Sequence, residues 1–586
     1  MKSSATFLLS VICILTVQAQ KPDFILSAPA GDRFTSIDKQ GVTVIPNGRL
    51  ITPAGKCYTV APHPYGLAIN PDGNIAVTAN SGIQPLSITI LRNLQSDAPG
   101  IQQVPPGPAT DDGVLASVFM GIAVSPDNRL VYVAGGQENK IFIFDIQTGE
   151  KQGFIDCAFK DAKHDYSHGY IGDLVLSRDG KTIYAVDQIG FRMIVADAVN
   201  RKLISSAEVG RYPFGICLSP DEKQVFVANV GMYKYSLVKK KKQGEWKNGV
   251  LDYPAFAYGS EEAEKGIKND TLDIPGLGSM DSDESFSVWT VDVQNPGRPK
   301  VTAKIKTGTR VGQMVEGIPA VGGSSPNSLV TDGRYVFCSN GNNDNISVID
   351  ARKKAVVKNI SLCPDKRLQK LRGIIPFGLA LSPDGKRLYV AESGLNAIGV
   401  IDTKTLQVIG HIPAGWFPAK LKVTADGRKL VVANAKGFGS GPNGGAAFMK
   451  GPEGTYIGSL MKGTVEVLDI PSDEMMKSLT QKVIDNNFLF REPKSDDFAG
   501  RSKNPVPLYP GEKSSPIKHI VFISKENRTY DEIFGQVVKS NGDASIARYG
   551  ANVSFTNGKK DQKVNFATVM PNHLQLANRY AIADNF

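Results

Sequence analysis

Short apolar stretches with a two-residue alternation recur along the chain, each broken by a Pro-Asp-Gly type turn and followed by a second apolar stretch. The clearest phrase runs Pro376-Phe377-Gly378-Leu379-Ala380-Leu381-Ser382-Pro383-Asp384-Gly385-Lys386-Arg387-Leu388-Tyr389-Val390-Ala391. Alternation of this kind predicts a strand with one buried face, and the turn residues supply the positive φ that a tight hairpin needs. Six related phrases run Tyr65-Gly66 to Asn80, Met120-Gly121 to Gly135, Ile171-Gly172 to Asp187, Phe214-Gly215 to Asn229, Pro326-Asn327 to Asn340, and Pro418-Ala419 to Asn434. Their turn aspartates (Asp72, Asp127, Asp179, Asp221, Asp332, Asp384, Asp426) are spaced by 55, 52, 42, 111, 52 and 42 residues.

Two further strands usually follow each phrase, as at Ala397 to Asp402 and Gln407 to Pro413, with comparable third strands at Ile141 to Asp145, Ser287 to Asp292, Ile346 to Asp350 and Thr464 to Asp469. Four antiparallel strands recurring at this period predict the blades of a β-propeller, and seven copies predict seven blades. The last copy lacks a fourth strand while Lys56 to Val60 stands alone before the first, so this N-terminal strand is expected to complete the last blade and remove the open edge. The long spacing is assigned to an insertion, Gly231 to Glu284, whose polar, Gly-rich content predicts a loop excursion lying as a flap over one face. A second, shorter excursion runs from Lys436 to Lys462.

With 41% hydrophobic and 21% charged residues, the 586-residue chain is too apolar for disorder, and 59 Gly with 35 Pro disfavour an all-α fold. The net charge of +10 is scattered. Its one conspicuous run, Lys239 to Lys242, reads as a solvated loop, and no basic stripe with interleaved aromatics supports nucleic acid. Lys2, the apolar run Phe7 to Val17 and the small Ala19 have the order of a secretory signal over residues 1–19, so the protein is expected to be exported, to a periplasm or outside the cell. No later stretch approaches the roughly 20 apolar residues of a membrane span. Apart from Cys13, the cysteines are Cys57, Cys157, Cys217, Cys338 and Cys363, without any Cys-x-x-Cys spacing, which excludes zinc ribbons, redox motifs and covalent c-type haem. Cys217 and Cys338 read as small buried hydrophobes. With six His and only Trp246, Trp289 and Trp416, no ligand cluster or aromatic dock for a cofactor is visible.

The repeats resemble the YVTN-type, lactonase-like β-propeller family, whose Ser-Pro-Asp-Gly-x-x-x-Tyr-Val-Ala phrase is nearly literal at Ser382 to Ala391. The resemblance covers residues 42–470 and implies a fold rather than a function, since such discs host enzymes, cofactor sites and binding platforms alike.

Beyond Ile470 the repeat stops. Ser472-Asp473-Glu474 opens a helix expected to reach Asn487 with Met475, Leu479 and Val483 on its apolar face, and residues 491–516 form a Pro-rich linker. The run Ile517-Lys518-His519-Ile520-Val521-Phe522-Ile523-Ser524 suits a buried parallel strand, and Lys525 to Gly535 suits the polar turn and helix that follow one. Glu526 and Asn527 would then stand at the carboxyl end of an α/β sheet, where a carboxylate and an amide oxygen suit a hard divalent cation; the bland reading is a solvated helix start. Residues 517–535 resemble the opening of the phosphoesterase family that includes phospholipase C and acid phosphatases, related to the alkaline phosphatase superfamily. Glu526, Asn527, Tyr530, Asp531 and Gly535 match its signature, and Met570 to Tyr580 with Ala583-Asp584-Asn585-Phe586 match its later Pro-Asn, helix and Asp-Asn-Phe stretch. The resemblance implies a partial α/β, alkaline phosphatase-like domain over 517–586, a divalent metal and phosphate site containing Glu526 and Asn527, a phosphate-ester substrate, and Pro571 and Asn572 shaping the loop before a helix. The chain ends before the segment where that family's nucleophilic Ser or Thr and later Asp and His ligands are expected, so the chain as written is expected to be truncated and catalytically incomplete.

Three functional classes follow: an exported hydrolase acting on phosphate esters with a propeller binding module, a non-catalytic propeller platform for a partner protein or glycan, and a cofactor enzyme built on the disc.

Overall fold

Each Ser-Pro-Asp-Gly turn is held by its own side chains. Ser382 Oγ donates to Asp384 Oδ1 at 2.6 Å, Asp384 accepts from the Lys386 N–H, and Ser382 Oγ accepts from the Arg387 N–H at 3.0 Å. Gly385 takes φ 69°. The same staple recurs at Ser125/Asp127, Ser177/Asp179, Ser219/Asp221 and Thr424/Asp426. The hydrogen bond from Ser382 and that from the Lys386 N–H hold the Asp384 carboxyl down at about 2. The aspartates that mark the repeat in sequence therefore build it.

A computed structural model describes residues 24–248, 256–257, 259–440, 456–494, 505–506 and 515–584. The chain is mainly β and divides into two compact units, 32–487 and a second formed by 1–31 with 488–586. In the first unit seven four-stranded antiparallel sheets follow the repeat, beginning with Pro64–Ile69, Ile122–Val124, Ile171–Leu176, Pro213–Leu218, Pro326–Thr331, Pro376–Leu381 and Trp416–Val423, numbered here as sheets 1 to 7. Their first strands contact one another in sequence, and that of sheet 7 returns to that of sheet 1, a closed ring consistent with a propeller. Lys56–Pro62 joins sheet 7 beside Lys462–Asp469, pairing Val465 with Tyr58 and Glu466 with Cys57, as the orphan strand requires. Apolar faces of neighbouring sheets interlock: Val77, Ile88 and Ile90 of sheet 1 pack with Val131, Phe142 and Phe144 of sheet 2, each burial contributing roughly 1.5–3 kcal/mol. Cys217 and Cys338 lie buried in one such layer, and the five described cysteines are free. The Asp473–Asn487 helix packs on sheet 6, where Thr480 Oγ1 accepts from the His411 N–H at 2.9 Å. Its buried face carries Met476 and Val483, whereas Met475 is exposed, so the apolar stripe starts one residue later than expected.

The insertion departs from expectation. Lys239–Lys242 is a strand, paired with Glu245–Asn248 and Leu272–Pro275 in a small four-stranded sheet, and Ser260 caps a short helix over Glu261–Lys265. Strand pairing satisfies the backbone while Lys239, Lys241 and Lys242 stay exposed, so a charge run does not preclude a strand. Arg211, buried at the root of the insertion, donates to the carbonyls of Met232 and Ser279 and pairs with Glu284 at 3.3 Å.

In the second unit Ile25–Ser27 pairs with Leu489–Arg491. Residues 530–534 and 571–579 are helical, and Val553–Thr556 pairs with Lys563–Ala567. The expected strand over Ile517–Ser524 is absent: the segment carries no regular structure, and Ile520, Val521, Phe522 and Ile523 are exposed. A parallel strand exists only through a hydrogen-bonded neighbour, and no described strand of this unit pairs with the segment. Pro571 and Asn572 lie in the first turn of the second helix rather than in the loop before it, proline suiting that position because it forfeits no helical hydrogen bond. The expected secretory signal, and most of the Pro-rich linker, lie outside the described residues. No described helix is long and apolar enough to cross a membrane.

Candidate functional site

Three places gather chemically capable side chains: the centre of the ring, a cavity beside sheet 5, and the Glu526-Asn527 pair. At the centre, the glycine of the repeated phrase has a spatial cause. A Cβ on Gly66, Gly215 or Gly378 would stand 2.2 to 2.5 Å from a backbone oxygen of another sheet's first strand, so glycine lets these strands converge. Rings stand just before these glycines at Tyr65, Phe214 and Phe377, and close by on sheets 2 and 7 at Phe119 and Phe417. Phe119 of sheet 2 meets Phe214 of sheet 4 at 5.8 Å, Phe214 meets Phe377 of sheet 6 at 6.0 Å, and Tyr65 of sheet 1 lies 6.5 Å from Phe377 and 6.3 Å from Phe417. Sheets 2, 4 and 6 are not neighbours in the ring, so these rings meet over its axis and plug one mouth. Edge-to-face pairs of this kind contribute about 1 kcal/mol each. A count of Trp missed this cluster; the aromatic residue preceding the repeated glycine was its signal.

Directly along the strands from the plug lies an ion pair. Asp173 of sheet 3 and Lys420 of sheet 7 occupy the position that is glycine in four of the other sheets, and they meet at 3.5 Å with both side chains largely buried. Lys422 lies two residues further, about 6.5 Å along the same strand face. Its side chain is exposed, and crowding by the surrounding protein lowers its ammonium pKa, with Lys420 adding to the shift and Asp173 opposing it.

The cavity, of about 550 Å³, lies between Thr309–Gly323, the Asn342–Asn345 turn and Gln369–Ile374. Asp344, buried below it, accepts three backbone N–H bonds from Gly373, Ile374 and Ile375 and is therefore scaffold. Its lining is amide-rich. Asn343 Oδ1 accepts from the Thr309 N–H at 2.7 Å, Asn345 Oδ1 from Asn340, and Asn359 Oδ1 from Ser347 at 2.7 Å. With those oxygens committed, the three NH₂ groups are the open hydrogen-bonding capacity, beside Gln369 and the Ser361 hydroxyl. Arg372 at the rim is neutralised by Glu316 at 3.1 Å. A donor-rich, nearly neutral cavity suits a ligand rich in hydroxyl and carbonyl oxygens.

Glu526 and Asn527 are both exposed, in irregular chain four and three residues before the Tyr530–Phe534 helix. No group of three His, Cys, Asp or Glu side chains among the described residues converges as a metal site. The pair as it stands does not fit a divalent cation, which takes six or more oxygens.

No family model matches the chain, and no curated protein matches it. Among solved structures, it is similar to the hydrazine synthase of Kuenenia stuttgartiensis, at 16% identity over 64% of this chain and 94% of that one with a TM-score of 0.41. It is also similar to a mitotic checkpoint complex chain, at 12% identity over 72% and 95% with a TM-score of 0.43. Neither likeness bears on function.

Proposed function

We propose that residues 42–470 form a seven-bladed β-propeller that serves an exported protein as a binding module, and that its ligand is a glycan held in the donor-lined cavity. The amide array of Asn343, Asn345 and Asn359 carries this reading: three cavity-lining side chains whose oxygens are tied to protein leave N–H donors of the kind that sugar hydroxyls and acetamido carbonyls accept from. A glycan array probed with the full chain and with Asn359→Leu tests it. Binding to a defined glycan set, weakened at least tenfold by the substitution, is expected. Absence of binding, or binding indifferent to Asn359→Leu, overturns it.

A second reading is hydrolysis of phosphate esters by the phosphoesterase-like segment 517–586, with Glu526 and Asn527 contributing to a divalent-metal site once further donors join them. The presence of a helix within each signature stretch, Tyr530–Phe534 and Pro571–Arg579, with the two helices in contact, favours it. The chain as written is expected to hydrolyse a chromogenic phosphodiester slowly or not at all with added metal. Robust turnover abolished by Glu526→Ala would show the segment to be self-sufficient.

A further inference from the structure

The hairpin beside the cavity has a composition that exposure to water does not explain. Over residues 311–323 the one charged side chain is Glu316 and the one other polar side chain is Gln313. Met314–Val315 pairs with Ile318–Pro319, and the ladder continues from the Ala320 N–H to the Gln313 carbonyl at 2.9 Å and from the Gly312 N–H to the Ala320 carbonyl at 2.8 Å. Glu316 at φ 51° and Gly317 at φ 82° form a two-residue turn with both central residues left-handed, the kind whose twist matches the strands it joins. Cross-strand partners share a face and successive residues alternate, so Met314 and Pro319 occupy one face while Val315 and Ile318 occupy the other. Both faces are therefore apolar. A hairpin resting on a protein surface keeps its outer face polar for water, yet here Met314 is 60% and Ile318 70% exposed, on opposite faces.

The charge beside the hairpin is one-sided. Arg372 neutralises Glu316 at 3.1 Å and Arg367 is paired with Asp365 at 2.6 Å, whereas the exposed Lys366 and Lys370 have no carboxylate partner among the described residues. Leu371, next to Lys370, is exposed and lines the same cavity as Val315. We infer that the hairpin and residues 366–375 attach the protein to the surface of a membrane that carries anionic lipids. Met314, Ile318 and Leu371 enter the boundary between headgroups and acyl chains, and Lys366 and Lys370 meet the lipid phosphates. Lipid surrounds an inserted hairpin on both faces, whereas a folded partner covers one, and this selects the membrane. The Glu316–Arg372 pair keeps the insertion shallow, since charges are costly beyond the headgroups.

Sedimentation of the full chain with vesicles tests it, using phosphatidylcholine alone and phosphatidylcholine with phosphatidylglycerol in equal parts. These vesicles hold no glycan, so their binding reports this surface whatever the cavity takes, and failure here leaves the glycan reading standing. Binding to the mixed vesicles is expected to exceed that to phosphatidylcholine at least tenfold and to weaken as salt is raised. Met314→Ser combined with Ile318→Ser is expected to weaken it at least tenfold, and Lys366→Gln combined with Lys370→Gln to remove most of the preference for anionic lipid. No binding to the mixed vesicles overturns the inference. Binding unchanged in the Met314→Ser, Ile318→Ser variant also overturns it, because the attachment then belongs to another exposed apolar segment such as residues 520–523. Should that variant fail to fold, hydrogen exchange of the wild type decides: protection of residues 311–323 on adding mixed vesicles sustains the attachment, and unchanged exchange there refutes it. A chain that self-associates through this surface and ignores vesicles refutes it as well.

Discussion

Replacing Arg192 by Met keeps the length of the side chain while deleting its charge, and the consequence can be worked from the contacts. Arg192 is fully buried, its Nε donates to Asp187 Oδ2 at 2.9 Å, its Nη2 donates to the Cys157 carbonyl at 2.7 Å, and its guanidinium lies 4.0 Å from the Tyr166 ring centre. Asp187 is equally buried, but its Oδ1 keeps two donors, the N–H groups of Tyr170 at 2.9 Å and Gly190 at 3.0 Å. Removing one partner of a buried ion pair costs about 3–5 kcal/mol, and the two retained donors place this case near 3. The orphaned Cys157 carbonyl and the lost cation–π contact add about 1 kcal/mol each. The wild-type Nη1 is itself a buried donor without a partner, which offsets about 1 kcal/mol. A net loss of about 4 kcal/mol is therefore expected, read as a fall in the urea midpoint with the slope of the transition unchanged. Asp187→Asn in the Arg192→Met background removes the stranded charge and should restore about 2 kcal/mol. An Arg192→Met protein within 1 kcal/mol of wild type, or a double variant no better than the single, would refute the reasoning.

Gly378→Val should destabilise by more than 2 kcal/mol, because the new Cβ would stand 2.5 Å from the Ala419 carbonyl oxygen; a midpoint unchanged within error would mean that the first strands can spread. Val60→Asp places a carboxylate in the buried layer with Val431, Ala433 and Val465; loss of several kcal/mol and increased protease sensitivity of residues 462–469 are expected, since the closing strand leaves sheet 7 open when it detaches. Burial raises the pKa of Glu466 above its ordinary 4.5, although Gly55, Gly415 and Asn434 donate to it. The unfolded chain then releases this proton at lower pH than the folded chain does, so stability falls as pH rises from 4.5 through the folded value. Glu466→Gln should flatten that limb of the stability curve, and an unaltered slope would assign it to other groups.

Much of the ring was written locally. The turn staple needs only Ser382, Asp384 and Gly385, all within one phrase, and the period-two alternation needs only neighbours on one strand. The pairing of Lys56–Pro62 with Lys462–Asp469 spans most of the chain, yet it was readable because an orphan strand and a missing one are complementary vacancies in a repeat. Where expectation departed from structure, the local signal was real but its partner was not local. Ile517–Ser524 has the apolar content of a buried strand, but a parallel strand exists only through its neighbours. Lys239–Lys242 has the charge of a loop, but Leu272–Pro275 and Glu245–Asn248 supply the pairing that makes it a strand.

Sites show the same division more sharply. Composition and periodicity determined that this chain is built of short antiparallel strands closing on themselves, because strand, turn and repeat are each specified within about ten residues. Only tertiary structure decided that Phe119, Phe214 and Phe377 would touch, that Asp173 would find Lys420 at a separation of 247 residues, and that Asn343 and Asn359 would line one cavity. Each of these depends on the angle at which one sheet follows the next, and that angle is set by the packing of whole apolar faces rather than by any residue at the site.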